Sequence, residues 1–145
     1  MLPEGVANIF RTYDLRGVYR RELTPEVAAR VGLALSSFAR GIYAVGMDVR
    51  ASSPYLHHAL VSGLLAGGSS VVDIGVVPIG AAIYASLHKG YAAAYVTASH
   101  LPPEWNGFKL FKRGGDPIFG EEIARLRDIF FSKLEVAEKP GKYCR

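Results

Sequence analysis

Three short apolar runs, at 42–47, 70–74 and 92–97, are each separated from the next by a stretch of helical periodicity. This alternation constrains the chain more than any other feature. A strand buried on both faces reads as a continuous apolar run, whereas a half-buried strand alternates. Consecutive strands joined through helices are parallel, because the crossover returns the chain to its starting edge. The pattern therefore predicts an α/β chain with a mainly parallel sheet covered on both faces.

The helices carry their own signals. Thr24-Pro25-Glu26 places an N-cap hydroxyl, a proline at the first helical position and an acid in the first turn. Val27, Val31, Ala34 and Phe38 follow at helical spacing, and Gly41 stops the run. Ser52-Ser53-Pro54 opens a second helix with Leu56, Leu60 and Leu64 on one face, ended by Gly67-Gly68. Pro78 opens a third, with Ile79, Ile83 and Leu87 expected to face inward. A fourth strand is expected at 108–111. A last helix is expected at 120–134, with Ile123, Leu126, Phe130 and Leu134 on its buried side. Residues 1–134 read as one domain. Residues 135–145 are charged, contain Pro140-Gly141, and read as a linker or a frayed end.

Charge and cysteine content narrow the function classes. The net charge of +4 suits an anionic partner such as a phosphate. The basic residues are dispersed, with Arg20-Arg21 and Lys112-Arg113 the only adjacent pairs, which argues against a nucleic-acid surface. Cys144 is the single cysteine, so no disulfide can form within the chain, as in a reducing compartment. No apolar run approaches the ~18 residues of a membrane span. The first residues lack the basic start and apolar stretch of a secretory leader. Together these predict a cytoplasmic protein that binds neither membrane nor nucleic acid.

In open parallel sheets, ligands sit beyond the carboxyl ends of the strands. That rule selects the loops at 48–53, 75–78 and 98–107. The last lies within Thr-Ala-Ser-His-Leu-Pro-Pro-Glu-Trp-Asn-Gly-Phe-Lys at 97–109. Pro102 and Pro103 lack amide donors and push their predecessors toward extended geometry. Ser99 and His100 are thus expected on an ordered, extended loop, with Asn106-Gly107 turning the chain into the next strand. On these residues alone, a polar loop and a nucleophilic hydroxyl both stay open. Ser99 lacks the Gly-x-Ser-x-Gly setting of a hydrolase elbow.

The stretch resembles the Thr-Ala-Ser-His-Asn-Pro-Pro-Glu-x-Asn-Gly-x-Lys signature of the α-D-phosphohexomutases, the phosphoglucomutase/phosphomannomutase family. Phe-Arg-Thr-Tyr-Asp-Leu-Arg-Gly at 10–17 is similar to the family's N-terminal motif. Gly-Met-Asp-Val-Arg-Ala-Ser-Ser at 46–53 is similar to its Gly-x-Asp-x-Arg-x-Ser-Ser segment. The three occur in family order, and the resemblance covers roughly residues 8–133. It implies a three-layer α/β/α sandwich of the phosphohexomutase domain I type, with a mainly parallel, mixed sheet.

The resemblance also implies a reaction: intramolecular phosphoryl transfer between C1 and C6 of a hexose phosphate, through a phosphoserine at Ser99. Arg16 and Lys109 match positions that flank this serine and supply positive charge, with Lys109 also placed for proton transfer. His100 is expected to bond the phosphate or the substrate hydroxyl. The simpler alternative for Arg16 is an ion pair with Asp14. Arg50 and the helix start at Ser52-Ser53 are expected to brace the loop. One departure falls inside the signature: Leu101 stands where the family usually has Asn.

Glucose 1,6-bisphosphate is the implied phosphoryl activator and Mg²⁺ the implied metal, with a phosphoserine oxygen of Ser99 as one ligand. The family's other Mg²⁺ ligands come from an Asp-x-Asp-x-Asp-Arg motif, and no Asp-x-Asp occurs here. The sugar-reading segments of later domains are also missing, so the chain reads as an isolated first domain, inactive alone as a mutase. Its unpaired apolar surface would be open to further domains or to self-association. The alternative function is a non-catalytic remnant that binds a phosphometabolite or a partner protein.

Overall fold

The computed structural model describes all residues, Met1–Arg145. A short 3₁₀ turn at Val6–Ile9 precedes β1 (Leu15–Val18), α1 (Pro25–Phe38), β2 (Ile42–Met47), α2 (Ser53–Ala66) and β3 (Ser70–Val76). Then follow α3 (Ile79–Lys89), β4 (Ala92–Val96), β5 (Trp105–Phe111), α4 (Glu121–Phe131) and β6 (Tyr143–Cys144). The strands form one sheet in the order β1-β5-β4-β2-β3-β6. β4, β2, β3 and β6 run parallel, while β5 and β1 are antiparallel to their neighbours. The three apolar runs are the parallel centre, and the α/β class and mixed sheet expected from the sequence are present. No helix is long and apolar enough to cross a membrane.

One face of the sheet carries most of the core. Leu56, Leu60 and Leu64 of α2 and Val27, Val31 and Leu35 of α1 pack against it with Ile123, Leu126 and Phe130 of α4. Thr24 caps α1 as expected, its Oγ1 accepting from Val27 N at 3.2 Å. The two long helices approach closely because glycines face each other. A Cβ on Gly63 would lie 1.9 Å from the Ala29 carbonyl oxygen, and one on Gly32 would lie 2.3 Å from that of Leu60.

The other face is covered by α3 alone, and here the expected inward face is met in part: Ile79 and Ile83 pack half-buried against the cluster of Ala44, Ala93, Tyr95 and Phe111. Ala82, Ala85 and Ser86 are the buried residues of α3, while Leu87 is 55% exposed. Small side chains let α3 lie close to Ala93 and Tyr95. Ser86 also ties the helix to the turn after β5, donating to the Lys112 carbonyl at 2.6 Å and accepting from Gly115 N at 2.9 Å.

Two strands escape the sequence pattern. β1 overlaps the end of the stretch 10–17 and pairs antiparallel with β5, Arg16 opposite Gly107. The tail at 135–145, expected as a linker or a frayed end, returns to the sheet and adds β6 beside β3. Ala137 N donates to Ala66 O, Gly141 N to Leu65 O and Val71 N to Lys142 O, at 2.8–2.9 Å. Backbone bonds, which no side-chain pattern reports, hold this segment. Tyr143 adds one side-chain anchor, its hydroxyl donating to Asp73 Oδ2 at 2.7 Å.

Candidate functional site

The loop after β4 is shaped by its own short bonds. Thr97 N donates to Gly107 O at 3.0 Å, keeping the chain on β5 for one residue past the strand. Ser99 N then donates to Thr97 Oγ1 at 2.9 Å. Leu101 N reaches back to Ala98 O at 3.1 Å, closing a turn. Ser99 is exposed and sits at φ 59°, in left-handed rather than the expected extended geometry. A left-handed non-glycine residue is uncommon and persists only when its surroundings hold it.

Arg50 supplies that hold. Its Nη2 donates to the carbonyls of Ser99 at 2.8 Å and Leu101 at 2.7 Å. Its Nη1 donates to Pro102 O at 2.8 Å and Trp105 O at 3.2 Å. The guanidinium thus gathers four carbonyls of the loop around one planar group. Asp48 aims it, with Oδ2 3.3 Å from Arg50 Nε and Oδ1 accepting from Arg50 N at 3.1 Å and Ser53 Oγ at 2.5 Å. The bracing expected of Arg50 and Ser52-Ser53 is therefore seen in these bonds.

Asn106 completes the brace and corrects another expectation. Asn106-Gly107 lies inside β5 rather than in a turn. Asn106 is fully buried, donating from Nδ2 to Ser52 Oγ at 2.8 Å and to Ser53 Oγ at 3.0 Å. Gly107 is flush against β1: a Cβ there would fall 2.0 Å from the Leu15 carbonyl oxygen. An Asn-Gly pair signals a turn by local preference, but here it serves a tertiary amide bond and a close strand approach.

Ser99 opens onto a hollow of ≈ 510 Å³ lined by Asp48, Val49, Arg50, Thr97, Leu101 and Pro103. Tyr95 lies beside it, its hydroxyl donating to Val77 O at 2.7 Å. Burial, and after it the negative charge of Asp48, pushes the Tyr95 phenol above its ordinary value, so it stays a neutral donor. His100 is exposed next to Ser99.

Arg16 and Lys109 meet on one acid. Asp14, 5% exposed, receives Arg16 Nε on Oδ1 at 2.9 Å and Lys109 Nζ on Oδ2 at 3.1 Å. The ion pair of Arg16 with Asp14 is present, and it extends to Lys109, a link from residue 14 to residue 109 that spacing cannot reveal. Arg16 stands opposite Gly107, whose carbonyl accepts from Thr97 N. Two strand spacings, about 10 Å, therefore separate the Arg16 backbone from the start of the Ser99 loop. Lys109 lies opposite Tyr95 in the next row. Arg16 also lines a separate hollow of ≈ 730 Å³ with Phe10 and Tyr13, against α4.

No three His, Cys, Asp or Glu side chains converge on a metal-sized space. Asp48, the carboxylate at the Ser99 hollow, already serves Arg50 and Ser53. The residues of this chain therefore do not by themselves fit Mg²⁺, which takes near-octahedral oxygen ligands.

The architecture defines an α/β/α domain that displays one loop hydroxyl, clamped through its backbone, near a guanidinium–carboxylate–ammonium cluster. The family model described as phosphoglucomutase/phosphomannomutase, alpha/beta/alpha domain I, matches residues 7–137, and the chain belongs to this family. It is 37% identical over 135 residues to a phosphoglucomutase/phosphomannomutase of Thermococcus kodakarensis, covering 88% of this chain and 30% of that protein. It is 47% identical over 122 residues to a probable phosphoglucosamine mutase of Pyrococcus furiosus, covering 83% and 27%. A crystal structure of a phosphoglucomutase/phosphomannomutase family protein from Burkholderia thailandensis superposes with a TM-score of 0.84 at 34% identity, covering 99% of this chain and 33% of that one. The chain thus spans about a third or less of the length of these relatives.

Proposed function

We propose that this chain is the phosphoryl-carrying domain of a mutase acting on sugar phosphates, with Ser99 as carrier. The observation that supports this best is the Arg50 clamp. Four carbonyl contacts fix the backbone of an exposed serine in left-handed geometry at the carboxyl end of the sheet. Phosphoryl transfer asks the protein for positioning and positive charge more than for covalent chemistry. The clamp supplies the first, and Arg16 and Lys109 supply the second.

In the reaction, a substrate hydroxyl attacks the phosphorus of phosphorylated Ser99. The Ser99 Oγ–P bond breaks, a new O–P bond forms on the sugar, and the proton of the attacking hydroxyl ends on Ser99 Oγ. The sugar bisphosphate then turns over and returns its other phosphoryl group to Ser99 Oγ. Lys109 faces Asp14 and Arg16, so its role in this site is a positive charge held at a fixed place. His100 is free on the loop to bond the phosphate or the incoming hydroxyl. The two relatives' names differ in the sugar. Glucose 1,6-bisphosphate is the activator this reading calls for. Hydrogen bonds from other domains would read the sugar, so the chain alone is expected to show no sustained turnover.

Leu101 favours a second reading, a domain that binds a phosphometabolite without transfer, because an apolar side chain lines the Ser99 hollow. Intact mass and peptide mapping separate the two, on chain as purified and after incubation with glucose 1,6-bisphosphate. A gain of one phosphoryl group at Ser99, absent in Ser99→Ala, is expected. An unmodified chain under both conditions would overturn the carrier reading.

A further inference from the structure

At the other end of the sheet from Ser99 lies a second hollow, of ≈ 330 Å³. It sits where β2 and β4 begin, at Ile42 and Ala92, and where the antiparallel β5 ends, at Phe111. Its floor is apolar: Ile42, Tyr43, Phe111 and Ile118. Tyr43 offers that floor no free donor. Its hydroxyl is committed to the Ala39 carbonyl at 2.8 Å and the Leu35 carbonyl at 3.3 Å. Those same bonds blunt the negative carbonyl end of α1, which would otherwise repel an anion there.

The rim is cationic. Arg40, Lys112, Arg113 and Arg125 surround the hollow against a single carboxylate, Glu122. Glu122 is taken by Lys112 at 3.2 Å. None of the five ion pairs of the molecule involves Arg40, Arg113 or Arg125. Three guanidinium groups without a carboxylate partner therefore border one apolar floor. Arg125 Cζ lies 4.4 Å from the centroid of the Phe38 ring, a cation–π contact of the kind a guanidinium also makes with a planar ligand ring.

We propose that this hollow binds a small molecule joining one planar ring to one phosphate, the class to which nucleoside monophosphates belong. Guanidinium forks match phosphate oxygens in pairs. The dry floor favours a ring face. A hexose phosphate would set its hydroxyls against a floor with no free partner, so the hollow discriminates against the sugars proposed for the Ser99 site. The volume is at the small end of ligand pockets, which suits one ring system with the phosphate held at the rim.

The test is a titration of the isotopically labelled full chain with AMP, followed by amide chemical shifts. Saturable shifts are expected at 38–43, 111–113 and 118–125, and none at 97–105. Adenosine alone and inorganic phosphate alone should bind more weakly than AMP, and glucose 6-phosphate should not displace it. Arg113→Gln and Arg125→Gln, both surface changes, should each weaken AMP by about tenfold, the size of one lost charge-assisted contact. Ser99→Ala should leave AMP affinity unchanged, so this result and the fate of the carrier reading are independent. Absence of saturable shifts at millimolar AMP, or an AMP affinity in both arginine variants equal to that of the unsubstituted chain, would overturn the proposal. So would shifts at these residues that follow protein concentration instead of AMP, which would make the hollow a contact between copies of the chain.

Discussion

Removing the Arg50 guanidinium should loosen the Ser99 loop while leaving the sheet intact. In Arg50→Ala, the carbonyls of Ser99, Leu101, Pro102 and Trp105 lose their shared donor, and Asp48 loses its partner. A hydrogen bond to a charged group contributes about 1.5–3 kcal/mol net. The four do not add, because the freed carbonyls lie near the surface and recover water. The Arg50 side chain is only 13% exposed, however, so the loss is not fully screened. A cost of about 2–4 kcal/mol for keeping the loop closed follows, drawn mostly from local rather than global opening. At about 1.4 kcal/mol per tenfold, amide exchange in the loop should quicken by at least thirtyfold. The reporting amides are Ser99, Leu101 and Trp105, which bond within the loop. Core amides of β2 and β4 should hardly change. Arg50→Lys, a point charge without the planar fork, should recover part of the protection. Unchanged exchange at 99–105, or an equal rise in β2 and β4, would refute the clamp.

Gly63→Ala should force α1 and α2 apart, because its new Cβ would meet the Ala29 carbonyl; a loss of about 2–4 kcal/mol in denaturant unfolding is expected, and an unchanged midpoint would contradict it. Acid should destabilise the chain in two steps. His57 is fully buried, its Nε2 lies 2.9 Å from Asp73 Oδ1, and its Nδ1 has no partner, which fits a neutral ring. Burial lowers its pKa against the opposing pull of Asp73, so the unfolded chain takes up the proton first and stability falls as pH drops below about 6.5. His57→Gln should flatten that slope. Asp73 is also held below the ordinary carboxylate value: burial opposes this, but the bonds from Tyr143, Gly75 and His57 outweigh it, so its contribution is present above about pH 4 and lost below. Leu101→Asn should tighten binding of glucose 1,6-bisphosphate in calorimetric titration, and no change would place the side chain outside the anion's reach.

Much of this architecture can be read from the chain, for reasons that are local. α1 announces itself through Thr24 and Pro25, and the parallel strands through unbroken apolar runs. The Ser99 loop is marked by its two prolines. What cannot be read depends on partners distant in sequence. β1 is four residues long and carries Arg16 at its centre, so it has no strand pattern of its own; β5 makes it a strand. β6 is two residues in a charged tail. Leu87 shows the opposite failure, since helical periodicity marks it as buried while the flat alanine face of β4 selects Ala82 and Ala85. At the candidate site, Ser99, His100, Arg16 and Lys109 stand out by type and motif. Asp14, which joins two of them, looks like an ordinary surface acid until β1 and β5 are paired.

The left-handed backbone at residue 99 limits which amino acid can occupy it, apart from any chemistry. Threonine carries the same hydroxyl as serine. Its branched Cβ, however, makes a positive φ a severe steric outlier. Held by Arg50, a threonine would either bear about 1–3 kcal/mol of strain or pull the loop out of its clamp. Glycine would relax the backbone and lose the oxygen. Between a hydroxyl residue too bulky for the turn and a residue with no hydroxyl, the conformation and the hydroxyl together leave serine at this position.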